Sequence, residues 1–202
     1  YFNQVHYKYV EENGKKGVVI YCDEKPWFEN YVKAGMAIED DFKGNSIYVL
    51  ALSHRWNKLN VYGGSLQTDV EIGTSPYVKT ELYQPLYPGS SFFVAPDFQF
   101  YRKKVLLRSG DDIVAEYRDQ RTVGDFKVGA VLGSYGELRA GYTVGREKFD
   151  RYIGDPELQD KSVDVGELFT NFIFDTRDEP DFPTSGQNIN VKYKHSAEGL
   201  GA

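Results

Sequence analysis

From Tyr31 onward, apolar and polar residues alternate with a period of two, the mark of strands with one apolar and one polar face. Val32, Ala34, Met36 and Ile38 share one face, with Lys33, Gly35, Ala37 and Glu39 on the other, and Asp40 to Asn45 turns the chain. A second strand runs from Ile47 to about Asn57. It places Tyr48, Leu50 and Leu52 on one side, but Ile47, Val49 and Ala51 are apolar too, so its facing stays open. After the turn 57–60, Leu66, Thr68, Val70 and Ile72 oppose Gln67, Asp69 and Glu71. Val78, Thr80 and Leu82 then oppose Lys79, Glu81 and Tyr83.

A fifth strand sets Val94, Pro96, Phe98 and Phe100 against Ala95, Asp97, Gln99 and Tyr101, with a bulge expected at Pro96 because proline cannot donate to a ladder. The sixth runs from Ile113 to about Leu132, where Phe126, Val128 and Ala130 oppose Asp125, Lys127 and Gly129. The seventh gives the cleanest alternation: Leu138, Ala140, Tyr142 and Val144 against Glu137, Arg139, Gly141 and Thr143. A loop, Asp150 to Lys161, is expected to be the longest connection. It leads to an eighth strand, Leu168–Phe174, and a ninth carrying Ile189, Val191 and Tyr193 against Asn190, Lys192 and Lys194. Full charges recur on one face of strand after strand, and several strands reach the roughly 9–11 residues that cross a bilayer. The pattern predicts an all-β, antiparallel fold over 27–202 and favours a transmembrane barrel over a soluble antiparallel sheet, whose solvated face would also carry such charges.

Residues 1–26 stand apart. Val5 to Val10 alternates, Glu11 to Gly17 is a polar turn, and Val18 to Asp23 is a second strand. Two strands without a helix do not bury a face, so this hairpin reads as the end of a domain that begins upstream.

Composition supports β structure without settling its solvent. Aromatics make up 15% of the chain while mean hydropathy is −0.52, as expected where lipid-facing and lumen-facing residues alternate; a soluble β-sandwich gives a similar signature. The formal charge of −6 leaves no basic footprint for nucleic acid. No apolar run is long enough for a membrane helix. The opening Tyr1-Phe2-Asn3-Gln4 has no basic n-region, so an exported chain of this kind is expected to have lost its leader or to be an internal segment. Cys22, the single cysteine, has no intrachain partner.

Candidate chemistry is sparse. Asp175, Asp178 and Asp181 recur every third residue beside Arg177, but the Ca²⁺-loop pattern is missing, and a charged turn with an internal ion pair explains them better. Asp40-Asp41 and Asp111-Asp112 read as solvated turn charges. His6, His54 and His195 lack metal-ligand spacing. Neither Gly63-Gly64-Ser65 nor Pro88-Gly89-Ser90 forms a nucleophile elbow. Trp27, Trp56 and the tyrosines suit an aromatic girdle at a membrane interface. No catalytic residue, metal ligand or cofactor site is assigned, and the segment reads as non-enzymatic.

One stretch is specific. Asp175-Thr176-Arg177-Asp178-Glu179-Pro180-Asp181-Phe182-Pro183-Thr184-Ser185-Gly186 joins the last two strands. It resembles the strand–turn–strand signature of the bacterial surface-antigen barrels, the outer-membrane superfamily that includes the BamA and TamA assembly factors. The motif residues are Asp175, Arg177, Asp178, Phe182, Pro183, Thr184 and Gly186, read as a structural turn. Glu24-Lys25-Pro26-Trp27 with Phe28-Glu29-Asn30-Tyr31 is similar to the linker of patatin-like phospholipases that carry such a barrel. The hairpin resembles the last one of a POTRA domain, the periplasmic module preceding these barrels.

The resemblance implies about nine strands of an expected sixteen, in a bacterial outer membrane with the N-terminus periplasmic. Turns 57–60, 86–90, 134–136 and 178–186 are then periplasmic, and 150–161 is external. It further implies a barrel that anchors or exports an upstream patatin-like serine hydrolase, with an assembly or translocation barrel as the alternative and a soluble ligand-binding β-protein as the second. Implied partners are outer-membrane lipid, the upstream POTRA and hydrolase domains, and the assembly machinery during insertion, with no nucleic acid. The family's V-R-G-[FY] motif is missing; Val144-Gly145-Arg146 is a distant echo.

Overall fold

The computed structural model describes residues 2–12, 14–24, 30–40, 46–109, 112–154, 159–179 and 182–201. Most of the linker motif (25–29, with Trp27), the turn 41–45, Gly110-Asp111, residues 155–158 and Pro180-Asp181 lie outside the described residues.

β1 (Phe2–Glu12) and β2 (Lys15–Glu24) pair antiparallel as a two-stranded sheet of their own. Val5, Tyr7 and Tyr9 face Cys22, Ile20 and Val18 across the ladder, so one side of the hairpin is apolar.

The remaining strands make one antiparallel sheet: β3 (Asn30–Asp40), β4 (Ser46–Trp56), β5 (Ser65–Gly73), β6 (Tyr77–Pro85), β7 (Phe92–Val94), β8 (Asp97–Ser109), β9 (Asp112–Val131), β10 (Gly136–Gly154), β11 (Lys161–Asp175) and β12 (Asn188–Ser196). Apart from β7 and β8, which both lie between β6 and β9, each strand pairs with its neighbours in the sequence. Among the described residues β3 bonds only to β4 and β12 only to β11, leaving an open meander with two free edges. A single 3-10 turn, Glu198–Leu200, folds back so that Tyr142 Oη donates to the Leu200 carbonyl at 2.5 Å.

Pro96 behaves differently from the expected bulge. β7 and β8 both lie between β6 and β9, and they are two parts of one strand. The register does not slip between them: Val94 faces Gln84 and Val128, and Asp97 faces Glu81 and Asp125. The missing N–H of Pro96 interrupts the ladder without displacing it. Its carbonyl still accepts from Leu82 N at 3.0 Å, and Ala95 N donates to the Lys127 carbonyl at 2.8 Å.

The predicted long loop at 150–161 is also shorter than expected. β10 continues to Gly154 and β11 starts at Lys161, so the connection is 155–160, shorter than the β11–β12 connection 176–187. Phe149 and Ile153 remain paired to β9 across a register shift at Arg151/Ile153, which carries the hairpin further. Sheet height is therefore uneven. β3 to β6 have 9–11 residues, whereas β9 has 20 and β10 has 19.

Candidate functional site

The sheet has an inverted solvent pattern. Large apolar residues on one face are open: Met36 is 82% exposed and Phe126 60%, with Val32, Ile72, Phe98, Val128, Leu138 and Leu168 in the same class. On the opposite face Lys127 is 5% exposed and Asp97 7%. Tyr48, Leu50, Leu52 and Trp56 are exposed, while Ile47, Val49, Ala51, Ser53 and Arg55 are half-buried, which settles the facing of β4.

The charged face is concave, and its side chains meet across several strands. Lys127 Nζ of β9 lies 2.5 Å from Glu81 Oε2 of β6 and is also paired with Asp97 of β8. Arg139 of β10 reaches Glu81 Oε1 at 3.2 Å and its own neighbour Glu137 at 2.6 Å. Toward the other end of the strands, Arg121 of β9 bridges Glu147 of β10 at 3.1 Å and Glu167 of β11 at 3.0 Å, and Lys194 of β12 joins Glu167 at 3.1 Å. Smaller links continue the face: Ser53 Oγ donates to Asp69 at 2.5 Å and Arg55 Nε to Gln67 at 3.0 Å. Burial of such a cluster is tolerable because each charge is paired; a lone one would be costly.

Two aromatics complete the inner wall, and alternation alone did not single them out. Phe93 lies directly opposite Gly129, where a Cβ would strike its ring; Tyr83 packs at 4.5 Å between centroids and Arg139 stacks on it at 5.4 Å. Phe169 likewise lies opposite Gly141, its ring 2.7 Å from where a Cβ would stand, with Lys192 over the ring at 5.0 Å. Gly129 and Gly141 are the sequence signal for them: each absence of a side chain on a charged face is the space a neighbouring ring fills.

This changes what the inner face is. The charges that recur on one face of strand after strand prove to be a packed ionic core at Glu81, Asp97, Lys127 and Arg139. The arrangement holds strands in register; it presents no nucleophile with a base beside it, and every one of these charges has an opposite charge against it.

The β11–β12 connection is a second built feature. Asp178 Oδ1 accepts from the backbone N–H of Glu179 at 3.0 Å, Thr184 at 3.0 Å and Ser185 at 3.2 Å, and its Oδ2 accepts from Thr184 Oγ1 at 2.5 Å. The Thr184 hydroxyl, followed by these backbone donors, holds the Asp178 carboxyl well below the usual carboxylate range. Asp175 Oδ2 accepts from Arg177 Nη2 at 2.7 Å and Asn188 Nδ2 at 2.8 Å. Gly186 adopts φ 95°, where a Cβ would also meet Arg177 Cα at 2.7 Å. Phe182 and Pro183 are exposed, and Phe182 extends from this tightly bonded loop. With its oxygens occupied by internal donors, Asp178 closes a turn and offers no open ligand position.

Val144 and Arg146 point outward within β10, on either side of Gly145. His54 Nε2 lies 2.8 Å from Asn30 Oδ1 at the start of β3.

No protein-family model matches the chain, and no curated protein matches it. Among solved structures, the fold is similar to BamA from Haemophilus ducreyi lacking POTRA domains 1–3, with a TM-score of 0.64 at 12% sequence identity. That likeness covers 99% of this chain and 40% of the other, so the chain spans less than half the length of that structure. The fold is thus an all-β antiparallel sheet that matches part of a BamA barrel.

Proposed function

We propose that this chain is part of the wall of a bacterial outer-membrane β-barrel, with the apolar face in lipid and the ionic face toward the lumen. The inversion at neighbouring residues carries the reading: Phe126 is open and Lys127 is buried, Phe98 is open beside the buried Asp97, and β4 and β10 alternate in the same sense. In water such a sheet would expose its hydrophobic side and enclose its charges, whereas in a bilayer both faces are satisfied. A soluble ligand-binding β-protein does not fit that inversion. The free edges of β3 and β12 belong to this reading, since unpaired backbone groups in hydrocarbon must find strand partners.

At the finer level, the barrel anchors or exports an upstream patatin-like phospholipase through a POTRA-type hairpin, 1–26, on the periplasmic side. The linker motif at 24–31 supports this, and the hairpin's separate two-stranded sheet fits it. The alternative, an assembly or translocation barrel, is favoured by the likeness to BamA. In both readings the chain's own residues supply the wall and the chemistry lies elsewhere. The β11–β12 turn, with Asp175, Arg177, Asp178 and Gly186, is proposed as a structural element of that wall.

The test is oxygen accessibility of spin labels at Leu138 and Arg139 in bilayers. The label at 138 should report a lipid environment and that at 139 a polar one; two water-exposed labels would end the membrane reading. Mass spectrometry of the protein purified from its native membrane separates the finer readings, because a patatin-like hydrolase joined ahead of Tyr1 is required by the first.

A further inference from the structure

We infer that the outer face carries a binding site for the phosphates of a membrane lipid whose head group bears more than one phosphate. The inference rests on the membrane reading above. It comes from the way the outward rows end on the tall strands. Reading across the ladders, the row Phe126–Tyr142–Leu168 is apolar, and the next, Gly124–Val144–Gly166, is small or apolar. The row after that is Phe100–Thr122–Arg146–Asp164, followed by Arg102–Gln120–Lys148–Ser162 and then Lys104–Arg118–Asp150. Where the apolar belt stops, five cations from three adjacent strands begin.

Glu116, Asp150 and Asp164 stand on the strands of this face, and Glu198 lies on the turn that packs over Gly166; the five cations still outnumber them among the described residues. Lys104 pairs with Glu116 at 3.0 Å and Arg146 with Asp164 at 2.8 Å, Asp150 lies opposite Arg118, and Arg118 stacks on Tyr152 at 4.9 Å. Arg102 and Lys148 flank Gln120, are exposed, and have no ion pair among the described residues. The patch stands out in a chain whose formal charge is −6. At the opposite end of the same face the exposed residues are aromatic instead: Trp56, Tyr87, Phe92 and Tyr135.

Depth and position choose the occupant. From the row of Arg146 to the row of Lys104 is four residues, about 13 Å along a strand, deeper than one layer of phosphodiesters and suited to a bulky head group with phosphates at two heights. An apolar groove of about 720 Å³ lies on β9 to β12 below the patch, lined by Phe126, Val128, Tyr142, Leu168 and Tyr193. Its residues Phe126 and Tyr142 stand four positions from Thr122 and Arg146 on the same strands. A ligand with acyl chains in the groove and phosphates among the cations satisfies both; a soluble anion leaves the groove empty.

The experiment uses the full chain in phosphatidylethanolamine vesicles, with bisphosphorylated lipid A as probe and native mass spectrometry or a labelled-lipid assay as readout. The comparison arms are dephosphorylated lipid A with the same acyl chains, and free pyrophosphate as competitor. The wild-type chain should prefer the phosphorylated lipid. Each cation removed near such a surface should weaken binding about fivefold, so Arg102→Gln with Lys148→Gln should lose about 25-fold, while Lys8→Gln with Lys16→Gln on the hairpin should change nothing. Equal binding of dephosphorylated lipid, an unaffected Arg102/Lys148 variant, or displacement by pyrophosphate alone would overturn the site. A chain that stays in the bilayer yet shows no phosphate preference refutes this inference only; one that leaves the bilayer refutes the membrane reading and this inference with it.

Discussion

Glu81 and Arg139 stand on strands separated by two others, yet Arg139 Nη1 lies 3.2 Å from Glu81 Oε1. Flat strands at about 4.8 Å spacing would leave their backbones roughly 14 Å apart. The sheet curls toward its charged face, and that curvature makes an ionic core from residues far apart in the chain.

The first prediction concerns Lys127. Lys127→Met leaves Asp97 and Glu81 without their shared cation, and removing one partner of a buried pair costs on the order of 3–5 kcal/mol. Urea titration of the chain in detergent should show that loss. A variant that also carries Asp97→Leu should recover much of it, because the stranded charge is removed together with its partner.

Outward positions should answer to charge in the opposite way. Val128→Lys, in the middle of the apolar belt, should cost about 2–4 kcal/mol in a bilayer and little in water. Equal effects in both solvents would show that Val128 does not face lipid.

Gly129 should tolerate no side chain. Gly129→Ala drives a methyl into the Phe93 ring, and overpacking of this kind costs about 1–3 kcal/mol. Adding Phe93→Leu should relieve the ring's share of the strain and leave the contact with the Leu138 carbonyl, which a Cβ would approach to 2.8 Å. A double variant no more stable than Gly129→Ala would place the Phe93 ring elsewhere.

The β11–β12 turn should loosen in acid. Asp178 is held below its ordinary value in the folded turn, so its contribution is complete above the unfolded value of about 3.9 and disappears as pH falls through the lower folded value. Protection of the Ser185 and Thr184 amides, taken relative to the unfolded exchange rate at the same pH, should fall below about pH 4, and Asp178→Ala should show the low protection at neutral pH. Protection unchanged across this range would mean the carboxylate does not hold the turn.

Alternation along the chain was enough for the strands and for their facing wherever one face was polar: in β10 Leu138, Ala140 and Val144 are the exposed residues, and the ladders carry the same parity to β3, β5 and β12. The reason is local, since a strand has a period of two whatever it packs against. β4 is the exception that shows the limit. Its alternate residues Ile47, Val49 and Ala51 are apolar as well, so only pairing of Ser53 with Asp69 and Arg55 with Gln67 reveals which side is inner.

Other features depend on neighbours that the sequence places far away. Pro96 kept its register because Leu82 and Lys127 hold the backbone on both sides. The 150–154 stretch became strand because β9 extends far enough to pair with it. Gly129 and Gly141 read locally as weak strand residues, and what explains them is the neighbouring strand: the rings of Phe93 and Phe169 and the carbonyls of Leu138 and Phe126 stand where a Cβ would be. The pattern of one residue after another determined a sheet with an apolar and a charged side. Which charges meet, and that they form a packed wall and not a row of solvated side chains, was decided by curvature, a property of the assembled strands and of no single one.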